Sequence, residues 1–230
     1  MLFRRIALVL LLGALGGCTS APDTAGPLPD GGSLVAASAD ALRDLRSVSF
    51  EFAVSGAIPG LAVREVTGEA ARGEGAHGFA HGDVDVQHTD ERAQYEFRVD
   101  GGTLYLTGSD DEHTEQPVPA GFDPARLLDP EDGLRSLLTG ATNLRTESRE
   151  KLGEVATYRV TGELPEHVVS ALVPGIRSDA HVKFWVAEAA GRHLRRIWIQ
   201  VPPRQPNEGA VTLELALSDH NAPVEPTPPS

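Results

Sequence analysis

Tyr95-Glu96-Phe97-Arg98-Val99-Asp100-Gly101-Gly102-Thr103-Leu104-Tyr105-Leu106 alternates apolar with polar residues on both sides of a glycine pair. A period of two sends successive side chains to opposite faces of a strand, and paired glycines supply the positive φ that a two-residue hairpin loop requires. The stretch therefore reads as an antiparallel hairpin in which Val99 faces Leu104 and Phe97 faces Leu106. A slip of one residue would turn every apolar side chain to the polar side, so the pattern also fixes the register.

The same period recurs outward in both directions. Upstream, Phe50, Phe52 and Val54 alternate with Ser49, Glu51, Ala53 and Ser55, and weaker alternation runs through Leu61–Ala70 and Phe79–Val86 between glycine-rich joints. Downstream, Leu144, Thr146 and Ser148 precede Gly153, and a three-residue loop with Gly153 in the left-handed region would set them against Ala156, Tyr158 and Val160. Val182, Phe184 and Val186 share a face, as do Ile197, Ile199 and Val201, and Val211, Leu213, Leu215 and Leu217 close the series. Trp185 and Trp198 fall on the opposite face, as cross-strand neighbours in the simplest register. Helical spacing appears at Leu34, Ala37, Ala41, Leu42 and Leu45 behind Ser33 as N-cap, again between Pro124 and Leu138, and at Val168, Val169 and Leu172. About eight antiparallel strands with helical insertions between hairpins predict an α+β fold, its helices gathered on one sheet face.

The N-terminal stretch fixes compartment and anchor. Arg4 and Arg5 precede an apolar run, Ile6–Leu15, too short to span a bilayer but suited to a signal peptide over 1–17. Leu15-Gly16-Gly17-Cys18 resembles a bacterial lipobox, and Cys18 is the chain's one cysteine, with no disulfide partner and a thioether-linked diacylglycerol as its predicted modification. Residues 18–32, rich in Pro, Gly, Ser and Thr, read as a flexible tether holding the domain about 20 Å from the membrane. Residues 33–218 are expected to fold, with 219–230 a disordered, proline-rich tail. The whole chain carries −13, and loss of Arg4 and Arg5 with the signal leaves −15. Such a surface repels phosphate, which excludes nucleic acid as a partner and adsorption to anionic lipid by charge.

Several segments resemble the LppX/LprA/LprF/LprG lipoproteins of mycobacteria and related actinobacteria. Val99-Asp100-Gly101-Gly102-Thr103-Leu104-Tyr105 is similar to the family's VDGxLY hairpin with one residue more. Leu128-Asp129-Pro130-Glu131-Asp132-Gly133-Leu134, behind Phe122-Asp123-Pro124-Ala125, is similar to its LDPxxGL segment, and Glu147–Gly153 with Tyr158–Gly162 to its hairpin and TG strand. The acidity, the His-rich segment 77–88 and the proline-rich tail depart from the pattern. The resemblance implies a curved antiparallel half-barrel with helices over its concave face, enclosing an apolar cavity for acyl chains of envelope glycolipids, and carriage rather than catalysis. The inward set would be Phe50, Phe52, Val54, Phe97, Val99, Leu104, Phe184, Ile197, Ile199, Leu213 and Leu215, facing Leu127, Leu137, Leu138, Val169 and Leu172. An acylated lipid, the membrane through Cys18 and a membrane transporter are the expected partners of a monomer without cofactor.

Other chemistry is thinner. Gly73-Glu74-Gly75-Ala76-His77-Gly78 matches GxGxxG without the strand-to-helix context that would cradle a phosphate. His77, His81, Asp83, Asp85 and His88 could supply metal ligands, with His81, Asp83 and Asp85 on one strand face, but a solvated outer face gives the same pattern. No GxSxG is present, and Glu163, Glu166 and His167 sit where a helix start favours acids anyway. A metal-dependent envelope enzyme and a scaffold or sensor with a collapsed core are the alternatives to a lipid carrier. Cys18→Ser should abolish acylation and move the protein from the membrane to the soluble fraction; a fatty-acid probe that still labels the serine variant would contradict the lipobox.

Overall fold

The computed structural model describes residues 22–73, 77–87, 91–109, 112–119, 122–203 and 209–224; the signal segment, Cys18 and His88 lie outside them. Eleven strands form one sheet: β1 (Ser47–Ser55), β2 (Val63–Ala71), β3 (Phe79–Gln87), β4 (Arg92–Asp100), β5 (Thr103–Gly108), β6 (His113–Pro117), β7 (Thr142–Leu152), β8 (Val155–Leu164), β9 (Ala180–Ala187), β10 (Leu194–Val201) and β11 (Val211–Ser218). The spatial order is β6-β5-β4-β3-β2-β1-β11-β10-β9-β8-β7, antiparallel throughout, so the sheet is open and its first and last strands meet at its centre. The α+β antiparallel class holds. The strand count exceeds eight because β6 is exposed at every position and carries no apolar alternation, while the apolar positions of β2 and β3 include Gly68 and Gly82.

The glycine hairpin has its expected register, Val99 opposite Leu104 and Phe97 opposite Leu106, with Gly101 and Gly102 both at positive φ. The β7–β8 turn differs. Its loop is two residues, Gly153 and Glu154, between paired Leu152 and Val155, and the extra residue sits in the strand as a bulge between Thr146 and Ser148. Beyond that bulge Thr146 faces Val160, the alignment the apolar pattern demands. Trp198 lies opposite Lys183 and Trp185 opposite Arg196, so the tryptophans are diagonal rather than direct neighbours.

Helix α1 (Gly31–Arg43) begins two residues ahead of Ser33 because Asp30 is its N-cap, accepting from the Ser33 amide at 2.8 Å. Glycine is a poor helix former, yet Gly31 is demanded: a Cβ there would meet the Arg145 and Thr146 backbone at 3.0 Å. The buried face is Leu34, Val35, Ser38, Ala39 and Leu42, with Ala37 and Ala41 only half-buried. Helices α2 (Pro124–Leu127), α3 (Gly133–Gly140) and α4 (Glu166–Leu172) are short. Helix α1 touches α3 and strands β7 to β10, and under this cover lie the most deeply buried side chains, among them Val160, Val182, Phe184, Val186 and Leu194. Each contributes about 1.5–3 kcal/mol by leaving water.

A clasp closes the C-terminal end of β11. Asn221 donates its amide to Ser47 O and accepts from the Arg46 amide, and His220 donates from Nε2 to Leu194 O at 2.9 Å beside the His193 ring. Burial, and then the His193 neighbour, lower the His220 pKa from 6.5 to about 4. Between those values the unfolded chain binds a proton there that the folded chain does not, so stability is full above pH 6.5 and falls as pH drops through the window. His220→Gln should flatten the pH dependence of the urea midpoint in that range; an unchanged slope would place the loss elsewhere.

Candidate functional site

The inner face of the sheet, the one the helices cover, is unevenly covered. Over β8, β9 and β10 its side chains are closed away, whereas over β1 to β5 the buried Val48, Val54, Ala70, Ala80 and Val99 are interspersed with side chains that are only partly buried: Phe50 and Phe52 on β1, Val66 on β2, Val84 on β3, Tyr95 and Phe97 on β4, Leu104 and Leu106 on β5. Register places them together, since Phe52 faces Val66, Val66 faces Val84, Val84 faces Tyr95, and Phe97 faces Leu106. In the next row Phe50 faces Gly68, Gly68 faces Gly82 and Gly82 faces Phe97. The phenylalanines thus flank two residues without side chains.

The glycines are there for close backbone approach as well. A Cβ on Gly68 would run into His81 O, one on Gly82 into Thr67 O, and Gly82 has φ +154. Glycine inside a strand marks this kind of contact. The surface has a boundary at one end, where helix α2 touches β2 and β3. Asp123 holds it there: it caps α2 through the Ala125 amide at 2.9 Å and meets His77 Nδ1 at 2.6 Å. Burial pushes the Asp123 carboxyl up, but the bonds from His77, Ala125 and Gly78 outweigh it and hold the group below the usual carboxylate range.

The sixteen residues of the expected lining divide between these two regions. Val54, Val99, Leu137, Leu138, Val169, Phe184, Ile197, Ile199 and Leu213 are buried in one continuous core, and Phe50, Phe52, Phe97, Leu104, Leu172 and Leu215 pack against it partly exposed. Leu127 is not in that cluster; the single turn of α2 turns Leu128 and Pro124 inward instead. Val66, Val84, Tyr95, Leu106 and the glycine pair were not in the expected set. Their signal was Val66 and Val84 each spaced by two from a strand glycine.

A groove of about 520 Å³ shares Phe50, alone of the sixteen, and Gly68 with this surface; Glu51, Glu69, Arg196 and Leu217 line it with the hairpin tip Lys151–Gly153. Its lining mixes charged with apolar side chains, and it is not the expected cavity. The outer face also places the candidate metal ligands. Asp85 accepts from Arg92 at 2.7 and 2.8 Å, which holds it below the usual carboxylate range, His81 lies 3.7 Å from Glu69, and Asp83 is exposed. Among the described residues no three His, Cys, Asp or Glu side chains converge on a metal position. Arg196 lies over the Trp185 ring and Lys183 over that of Trp198, so both tryptophans are paired with cations.

Comparison with known proteins returns the same architecture. The family model described as LppX_LprAFG lipoprotein matches residues 30–226. A protein of Mycobacterium tuberculosis named lipoarabinomannan carrier protein LprG is 27% identical over 199 residues, 83% of each chain. A Mycobacterium bovis protein named putative phthiocerol dimycocerosate transporter LppX is 29% identical over 158 residues, 64% of each chain. Among solved structures, LprF from Mycobacterium bovis superposes with TM-score 0.75 at 22% identity, covering 89% of this chain and 99% of that one. Lipoprotein LppX from Mycobacterium tuberculosis follows with TM-score 0.66 at 24%, covering 85% and 97%. These two show the fold.

The glycine pair is testable by stability. Gly68→Ala forces a methyl against a backbone carbonyl that cannot turn away, and should cost about 1–3 kcal/mol, read as a lower urea midpoint at unchanged slope. An unchanged midpoint would mean that the strands are not held this close.

Proposed function

The chain belongs to the LppX_LprAFG lipoprotein family, and from that premise we propose that it is an envelope lipoprotein that carries acylated lipids, anchored on the outer side of the cell membrane through Cys18. The observation that carries this reading is the partly covered apolar surface of β1 to β5 around the Gly68–Gly82 pair. A domain that closes its other half so completely leaves these phenylalanine, valine and leucine side chains packed against the core but only partly covered. The relatives' names, a lipoarabinomannan carrier and a putative phthiocerol dimycocerosate transporter, support a lipid or glycolipid as the ligand.

Each buried methylene is worth about 0.8 kcal/mol, so a sixteen-carbon chain gains at most roughly 12 kcal/mol before association costs. A surface covering one side of the chain recovers about half of that, less than a bilayer gives. The open surface therefore suits hand-over, and α2 is placed to cover a chain lying across β2 and β3. The role of the side chains is to exclude water; no step of bond making or breaking is required, and the sugar or other headgroup stays outside the apolar surface.

Val66 is half-buried and central in this surface and outside the buried core, so Val66→Trp adds bulk to the surface without breaking the core. Purified mature protein, extracted with organic solvent and mass-analysed after incubation with envelope glycolipid, should carry stoichiometric acyl lipid, and the tryptophan variant several-fold less at equal thermal stability. Thr67→Trp, one residue away on the outer face, should carry lipid normally. Absence of lipid from the unaltered protein, or equal loading of all three, would favour a scaffold or sensor with no working cavity.

A further inference from the structure

Residues 22–30, which composition assigns to the tether, meet β7 at two points, Asp23 and Pro29. Asp23 and Arg149 exchange both backbone hydrogen bonds at 2.8 Å, an antiparallel bridge, and their side chains approach to 3.7 Å. Further along, Thr146 donates its hydroxyl to Pro29 O at 2.6 Å, and Gly31 abuts the Arg145 backbone. The tether is a strap over its second half, and the antiparallel sense directs the chain preceding Asp23 toward the β7–β8 turn.

Length then decides how far the domain can stand from its anchor. Five residue steps separate Cys18 from Asp23, at most about 18 Å fully extended. Four steps along β7 separate Arg149 from Gly153, about 13 Å. A chain continuing along the strap can pass the tip of the turn by only about 5 Å, comparable to the headgroup layer of one leaflet. A free tether of the same total length would average roughly 20 Å. Charge agrees with this orientation. The turns nearest the strap balance Lys151, Arg192 and Arg195 against Glu154, Glu188 and Asp219. An anionic surface has no net charge to repel at these turns.

We infer that the end of the sheet formed by the β7–β8 and β9–β10 turns lies against the bilayer, held there by the Asp23–Arg149 bridge; this rests on Cys18 being the lipid anchor. Helix α2 is at the same end of the sheet, by the start of β3, so the boundary of the apolar surface that α2 covers faces the membrane.

The test uses the full acylated chain in vesicles of phosphatidylcholine with a fraction of nickel-chelating lipid, which quenches probes near the headgroups. With Cys18 acylated, a second cysteine at Glu154→Cys or Glu112→Cys takes one fluorophore. The probe at 154 should be quenched several-fold more than the probe at 112. Asp23→Pro removes the Asp23 amide donor and should bring the two toward equality while the protein stays bound. Equal quenching in the bound, unaltered strap overturns the inference; failure to float with the vesicles instead overturns the Cys18 anchor on which it rests.

Discussion

A sheet of eleven strands needs more cover than this chain supplies. Ten spacings of about 4.8 Å make an inner face roughly 48 Å wide, and a helix with its side chains covers about 10–12 Å. The described residues provide one thirteen-residue helix and three of eight residues or fewer. Helix α1 lies over β7 to β10 and closes that half, α2 reaches only one end of β2 and β3, and inner-face side chains such as Phe50, Phe52, Val66 and Phe97 stay only partly buried. The consequences run from there: a rigid half that sets the fold, and an adhesive half whose missing partner is proposed to be an acyl chain.

Most of the sheet was legible because one wet face and one covered face impose alternation. The glycine hairpin, with Val99 opposite Leu104, and the inward faces of β1, β9, β10 and β11 follow from that pattern alone. What alternation could not reveal has physical reasons. Strand β6 is exposed throughout, so no residue in it is selected for a face. The extra residue of the β7–β8 hairpin could reside in the loop or in the strand, and both restore the same pairing of Thr146 with Val160. The start of α1 was hidden because Gly31 and Gly32 weaken helix propensity, and a tertiary contact with β7 requires the first of them.

The candidate site was legible in part for a related reason. Phe50, Phe52, Phe97 and Leu104 read identically whether packed or half-open, and the same rule that selected them also selected Phe184 and Ile197, which are closed in the core. Burial by a helix from elsewhere in the chain is not written in a strand's own period. Leu127 fell outside because α2 is one turn long, too short for helical spacing to choose between it and Leu128. Gly68 and Gly82 were the informative residues, and their message lies in what they lack.

The family places this chain among lipoproteins, and its fold is that of LprF and LppX. Which half of the inner face meets lipid is the central claim. The most direct measurement is photo-crosslinking of a palmitate carrying a terminal diazirine, followed by peptide mass mapping of the attachment sites. Attachment should fall on β1 to β5, at Phe50, Phe52, Val66, Val84 and Phe97, and be absent from Val160, Val169 and Phe184. Attachment centred on β8 to β10 would instead mean that the closed half opens to take lipid, and that the exposed half serves something else.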